Sequence, residues 1–137
     1  MKLLVLATEP VDAEAVRDAL GAEDVAGAQV LVVSPAVNQS AVAFWMSDSD
    51  EAIAEAESAA QTTAEALSAE GARARATAGE SEPLLALQDA LSTYPADRIL
   101  LFTRGEDAAR YREDDVAGEA ERRFGIPVTE VSRQAGS

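Results

Sequence analysis

Short apolar runs alternate with helix-forming segments along this whole chain, and no other feature constrains its fold as much. The runs predict five β-strands, at residues 3–7, 28–34, 72–78, 98–103 and 126–132. The first and fourth runs, LLVLA and RILLFT, are almost entirely apolar, which is typical of strands buried on both faces of a parallel sheet. The third, ARARATA, alternates alanine with polar residues, as edge strands commonly do.

Turn and capping residues predict a helix between each pair of successive strands. Pro10 and Asp12 mark the start of the first helix, and Pro83 occupies the first position of the third. A long second helix is expected over about residues 50–70, and the fourth is expected to end near Phe124. Helices that connect parallel strands in this way cover both faces of a sheet.

The alternation therefore predicts one α/β domain over residues 1–132, followed by a loose tail at 133–137. The expected fold is a flavodoxin-like or Rossmann-like three-layer sandwich, with a five-stranded parallel sheet in the order 3-2-1-4-5 and two helices on each face. In this order the direction of connection reverses between strands one and four. Ligands of such sheets bind beyond the carboxyl ends of the strands at that point.

The charge of the chain excludes several classes of partner. Its 25 acidic residues outnumber 11 basic ones and give a net charge of −14, which opposes binding to nucleic acid and to anionic membranes. Cysteine and histidine are absent, so thiol chemistry, disulfides and imidazole catalysis are excluded, and no metal-ligand spacing is present. The chain has no run long and apolar enough to cross a membrane and no signal-type leader, and we expect a cytoplasmic protein.

Polar residues at the strand ends define the candidate ligand site. Glu9 could act as a base there, but a second catalytic partner is missing, so we expect no enzymatic activity. The candidate binding residues are Thr8, Glu9, Asn38, Thr103, Arg104 and Gly105.

Three segments of the chain resemble the universal stress protein family. They are AGESEPLLALQDAL at 78–91, ADRILLFT at 96–103 and RRFGIPVTEV at 122–131. Together with the five-strand alternation, the resemblance covers about residues 2–132 and is strongest to small members of the actinobacterial type. It implies the same α/β fold and a homodimer joined through the last strand, at 127–132, whose edge lacks a partner.

ATP-binding members of that family carry an Asp after the first strand and a Gly-x2-Gly-x9-Gly-Ser/Thr loop after the fourth. Here the first strand is followed by LATEP, with no Asp at the corresponding pair. With Gly105 as the second loop glycine, the other loop positions are occupied by Phe102, Asp115 and Val116. Glycine lets the main-chain N–H groups approach a phosphate closely, and these residues do not. We therefore expect no ATP or other cofactor, and we expect Asp114 and Asp115 to cap the following helix instead.

These observations predict a non-catalytic, stress-associated regulatory or interaction domain that forms a homodimer and has an unidentified protein partner. The alternative is a nucleotide-binding sensor with a divergent phosphate site at Arg104 and Gly105. The stretch LLFTRGEDAARYREDDVAG, at 100–118, decides between the two, because it occupies the position of the phosphate loop.

Overall fold

The computed structural model describes residues 2–7, 11, 13–20, 27–35, 49–79, 82–104 and 115–133. Strands and helices alternate throughout these residues, as the sequence predicts. The elements are β1 (Lys2–Ala7), α1 (Ala13–Leu20), β2 (Gln29–Pro35), α2 (Ser49–Ala69), β3 (Arg73–Gly79), α3 (Pro83–Thr93), β4 (Arg98–Arg104), α4 (Val116–Phe124) and β5 (Val128–Arg133).

The five strands form one parallel sheet in the order β3-β2-β1-β4-β5, which confirms the predicted topology. β1 lies at the centre, where Leu4 pairs with Leu31 of β2 on one side and with Ile99 of β4 on the other. Its five residues after Lys2 are all buried. A strand buried on both faces has no polar alternation, and this explains the continuous apolar run LLVLA.

Side chains on the two faces of the sheet build two separate cores, and each core is covered by two of the described helices. On one face, Val16 of α1 and Leu67 of α2 pack over Val5 and its neighbours. On the other face, Leu87 of α3 and Ala120 of α4 pack over residues such as Leu101. Two helices on each face were predicted, and the structure confirms this arrangement and the single α/β fold.

The ends of the elements follow local chemistry. Glu82 caps α3 by accepting hydrogen bonds from the main-chain N–H groups of Leu84 and Leu85, at 3.4 and 2.9 Å, and Pro83 occupies the first turn as predicted. Gly125 ends α4 with φ of 67°, in the left-handed region that glycine adopts easily. These signals are readable because each depends on residues only a few positions apart.

The second strand runs one residue further than predicted. Pro35 is its last residue, whereas the sequence predicted that the strand would end before this proline. The β1–β2 pairing ends at Leu6 and Val33, whereas the β2–β3 pairing continues to Pro35 and Gly79. Proline lacks an N–H group, and at the last position this loss affects only the β1 side. The last strand similarly includes Arg133, one residue beyond its predicted end.

A buried hydroxyl joins the segment before α1 to helix α2. Thr63 is fully buried, and its Oγ1 accepts a hydrogen bond of 2.9 Å from the main-chain N–H of Val11. The same hydroxyl donates to the carbonyl of Ala59 at 3.1 Å. The α1–α2 layer is therefore held together by a satisfied polar contact as well as by apolar packing.

None of the helices in the described part of the chain combines the length and the apolar character needed to cross a membrane.

Candidate functional site

The carboxyl edge of the sheet is the predicted place for a ligand, and the structure brings the central strands together there. β1 ends at Ala7, which pairs with Phe102 of β4. The helix after β1 covers one face of the sheet, and α4, which comes after β4, covers the other. The reversal of connection that was predicted between strands one and four is therefore present.

Most of the predicted binding residues lie outside the described part of the chain. These are Thr8, Glu9, Asn38 and Gly105. The main chain of Thr103 and Arg104 forms the end of β4, beyond the last pair with β1, and their side chains are not described. The structure thus places these two residues at the predicted edge, and the binding role of the set stays a prediction.

Phe102 aligns with the first glycine of the phosphate loop of the universal stress proteins that the sequence resembles, and it is a core residue. Its side chain is 3% exposed and belongs to the core under α1 and α2. It pairs with Ala7 on one side and Val131 on the other, so it lies within the strand. Phe102 is therefore a residue of the sheet and of the hydrophobic core.

Asp115 stands directly before α4, but the prediction that its carboxylate caps the helix is wrong. The side chain makes no capping hydrogen bond, and the residue has φ 49° and ψ 49°, in the left-handed region. A capping side chain requires extended main chain at that position in order to reach the next N–H groups. Asp114, the other predicted cap, lies outside the described residues.

The Asp115 carboxylate instead lies along the first turn of α4. Its Oδ2 accepts a hydrogen bond from Arg122 at 3.3 Å, with both side chains largely exposed. A methyl group added at Gly118 would lie 2.5 Å from Oδ2, so the carboxylate occupies space that a side chain at Gly118 would need. A negative charge therefore remains at the amino end of the helix.

The same helix carries a compact ion-pair cluster centred on Glu119. Its two carboxylate oxygens accept hydrogen bonds from Arg122 at 2.9 Å and from Arg123 at 2.8 Å. These hydrogen bonds hold the pKa of Glu119 below its ordinary value. Both arginines are thus paired with a carboxylate of the same helix. Glu119 lies three residues before Arg122 and four before Arg123, which are the usual spacings of ion pairs on a helix surface.

A second cluster, at the opposite edge of the sheet, was not predicted from the sequence. At the amino ends of the strands, a cavity of about 420 Å³ is lined in part by Gln29, Arg73, Arg75 and Tyr94. Lys2 lies beside it, with Nζ 6.0 Å from the centre of the Tyr94 ring. A sequence signal existed, since ARARATA places two arginines on the same side of one strand, but their neighbours come from distant segments.

Tyr94 connects the strands at this amino edge. It is 6% exposed, and its hydroxyl donates a hydrogen bond of 2.7 Å to the main-chain carbonyl of Gln29. Burial raises the pKa of Tyr94, and the nearby Leu3 amide and the positive charge of Arg75 oppose this effect in part. A tyrosine hydroxyl is protonated at neutral pH, and so it is the donor in this hydrogen bond.

One buried hydroxyl near the carboxyl edge has no partner. Ser34, the second-last residue of β2, is 1% exposed. Its Oγ makes no hydrogen bond to the part of the protein that the structure describes. An unpaired buried hydroxyl costs stability, in contrast to the doubly bonded hydroxyl of Thr63.

The comparisons with known proteins add no relative. No protein-family model matches the chain, and no curated protein matches it with significance.

Proposed function

We propose that this protein is a non-catalytic regulatory or interaction domain, built like a universal stress protein, whose carboxyl edge does not hold ATP. The parallel sheet in the order 3-2-1-4-5 supports the fold part of this proposal. The ATP part rests on one observation, the charged side chain and left-handed main chain of Asp115 at the amino end of α4.

Glycine adopts the left-handed conformation of Asp115 easily, and the loop of ATP-binding universal stress proteins carries a glycine at the position that corresponds to Asp115. In this chain the position is occupied by a carboxylate. Two like unit charges 4 Å apart repel by about 4 kcal/mol at an effective dielectric constant of 20. A single ordinary hydrogen bond, with a net value of about 1 kcal/mol, does not offset that repulsion. Phe102, which is buried in the sheet, removes a second contact of the loop.

Titration calorimetry with Mg-ATP tests the proposal directly. We expect no saturable binding at the carboxyl edge at millimolar ATP. Asp115→Gly removes the carboxylate, but it does not replace the missing Asp after the first strand, so we expect it not to restore binding. Asp115→Asn is the matched control, since it removes the charge and keeps the side chain.

Tight ATP binding would overturn this part of the proposal. A dissociation constant below about 0.1 mM, about −5.5 kcal/mol, would favour the nucleotide-sensor alternative, with the phosphates held by Arg104 and Gly105. The reversion of Phe102 to glycine is not a useful test, because truncating a buried phenylalanine costs about 3–5 kcal/mol of stability.

We also propose that two copies of the chain associate through β5. This strand is the last in the sheet order, so its outer edge has no strand beside it among the residues that the structure describes. Val128 turns its main-chain N–H outward, where Glu121 accepts it at 3.0 Å. Alternate residues of a strand share this direction, so the main-chain groups of Glu130 and Ser132 also face outward.

Sedimentation at moderate salt measures the association. We expect a dimer at tens of micromolar and a monomer for Ser132→Pro, which removes one outward N–H and leaves the pairing with β4 intact. High salt should strengthen the dimer, because it screens the repulsion between two chains of charge −14. A wild-type protein that stays monomeric while correctly folded would exclude the interface.

A further inference from the structure

The amino edge of the sheet gathers three basic residues in a chain that is otherwise strongly acidic. Lys2 of β1 pairs with Gln29 of β2, and Gln29 pairs with Arg73 of β3. Register partners in neighbouring strands point to the same face of a sheet, so the three side chains form a row across β1, β2 and β3. Arg75, two residues along β3, lies on this face as well. The row and Arg75 are called the amino-edge cluster below.

Of the four other arginines whose side chains the structure describes, three form ion pairs, and Arg98 donates a hydrogen bond of 3.0 Å to Thr129. Among the residues that the structure describes, Arg17 pairs with Glu70, and Arg122 and Arg123 pair with acidic residues of α4 and its amino end. Arg73 and Arg75 are exposed and make no ion pair within the same residues. The main-chain N–H of Lys2 donates a hydrogen bond of 2.9 Å to Oδ2 of Asp97, and the Lys2 carbonyl accepts one of 2.7 Å from the main-chain N–H of Asp97. The ammonium group of Lys2 lies near the ring of Tyr94.

The cavity beside these residues adds hydrogen-bond donors to the positive charge. Arg73, Ala74 and Arg75 line it, together with Ser68 of α2. The main-chain N–H of Arg73 donates a hydrogen bond of 2.8 Å to the carbonyl of Ala28, the residue before β2. The main-chain groups of successive strand residues point in opposite directions, so the N–H of Ala74 points away from β2, toward the outer edge of β3. The residues that line this space of about 420 Å³ thus include two arginines and a serine.

We propose that the amino-edge cluster is a binding site for a small phosphate-bearing anion, of the size of pyrophosphate or a phosphate monoester. Guanidinium groups bind phosphate oxygens in pairs through parallel N–H groups, and two of them on one strand face suit a ligand with several anionic oxygens. The cavity volume falls in the range of small-molecule sites. The local positive charge opposes the repulsion that the whole molecule exerts on an anion. This site lies at the opposite end of the strands from the carboxyl edge and is independent of the function proposed there.

Calorimetry with pyrophosphate, without added metal and at about 0.1 M salt, tests the site. We expect wild-type protein to bind with a dissociation constant below about 1 mM, and Arg73→Gln/Arg75→Gln to weaken binding at least about tenfold. The matched control is Arg122→Gln/Arg123→Gln, which changes the net charge by the same amount at arginines that pair with acidic residues of α4 and its amino end. At this salt concentration the screening length is about 10 Å, and the control should bind as the wild type does.

Three calorimetric results would overturn the proposal. The first is the absence of saturable binding by the wild type. The second is an equal loss in both double variants, which would mean that only the total charge matters. The third is equal affinity for succinate, which would mean that the site does not prefer phosphate. Amide shifts of a labelled protein provide the location, and we expect pyrophosphate to move the signals of Lys2, Arg73, Ala74 and Arg75. Shifts confined to the carboxyl edge would equally exclude the site.

Binding at the carboxyl edge and binding at the amino-edge cluster can be distinguished with one variant. Mg-ATP carries phosphates that the amino-edge cluster could also hold. Titration of Mg-ATP into Arg73→Gln/Arg75→Gln therefore measures the carboxyl edge alone, and pyrophosphate binding that disappears in this variant measures the amino edge alone.

Discussion

The left-handed conformation of Asp115 predicts that its replacement by glycine stabilises the protein, whereas the loss of a capping residue would destabilise it. At φ 49° an L-residue has its Cβ close to the following main chain, at a cost of about 1–2 kcal/mol. Glycine has no Cβ, but it loses more freedom on folding, at a cost of about 0.5–1 kcal/mol. The difference favours glycine by about 0.5–1 kcal/mol, and we expect Asp115→Gly to be more stable than the wild type by that amount.

The loss of the Asp115 side chain removes little in return. It makes no capping hydrogen bond, and its ion pair with Arg122 is exposed to solvent. Arg122 also keeps Glu119 as a closer partner, at 2.9 Å. Exposed ion pairs contribute little to stability, because water screens them and the side chains lose freedom in forming them.

Urea unfolding of three proteins tests the reasoning. Asp115→Ala is the matched control, because it loses the same ion pair and keeps a Cβ in the left-handed region, and we expect it to be less stable than Asp115→Gly by about 0.5–1 kcal/mol. If Asp115→Gly and Asp115→Ala were both destabilised by about 1 kcal/mol or more, the side chain would be acting as a helix cap. The strain argument would then be refuted.

Three further predictions follow from other groups. The two buried hydroxyls should respond with opposite signs in urea unfolding: Ser34→Ala should be neutral or stabilising by up to about 1 kcal/mol, whereas Thr63→Val should cost about 1–3 kcal/mol because the Val11 N–H loses its partner. Because burial raises the pKa of Tyr94, the contribution of this residue to stability should be constant below pH about 10 and should be lost as the pH rises through the folded-state pKa. Tyr94→Phe should reduce this dependence when unfolding is measured against pH. Because the pKa of Glu119 is lowered, its contribution should be lost as the pH falls from the ordinary glutamate pKa through the folded value, and Glu119→Gln should flatten the acid limb of the same curve.

The carboxyl-edge residues show where prediction from sequence reached its limit. The position of Phe102 in the motif indicated a poor phosphate loop, and the structure adds that the ring is part of the core. The capping role predicted for Asp115 was wrong, although a carboxylate before a helix is a frequent cap. Residue type indicates which cap is possible, but the main-chain angle at that residue depends on the path of the whole preceding connection. The amino-edge cluster was missed for a related reason, since Lys2, Arg73 and Tyr94 are far apart in the chain.

The sequence by itself determined the elements and the parallel sheet, because these rest on local periodicity and on the alternation of strands with helices. The run LLVLA is typical of a strand buried on both faces, and ARARATA has the alternation of an edge strand. Tertiary structure alone decided which side chains meet. The register that aligns Lys2 with Gln29 and Arg73 brings separate positive charges to one edge. The left-handed turn at Asp115 directs its carboxylate along α4 toward Arg122. These meetings depend on strand register and on main-chain angles in the connections, and neither quantity is contained in the apolar pattern of a single segment.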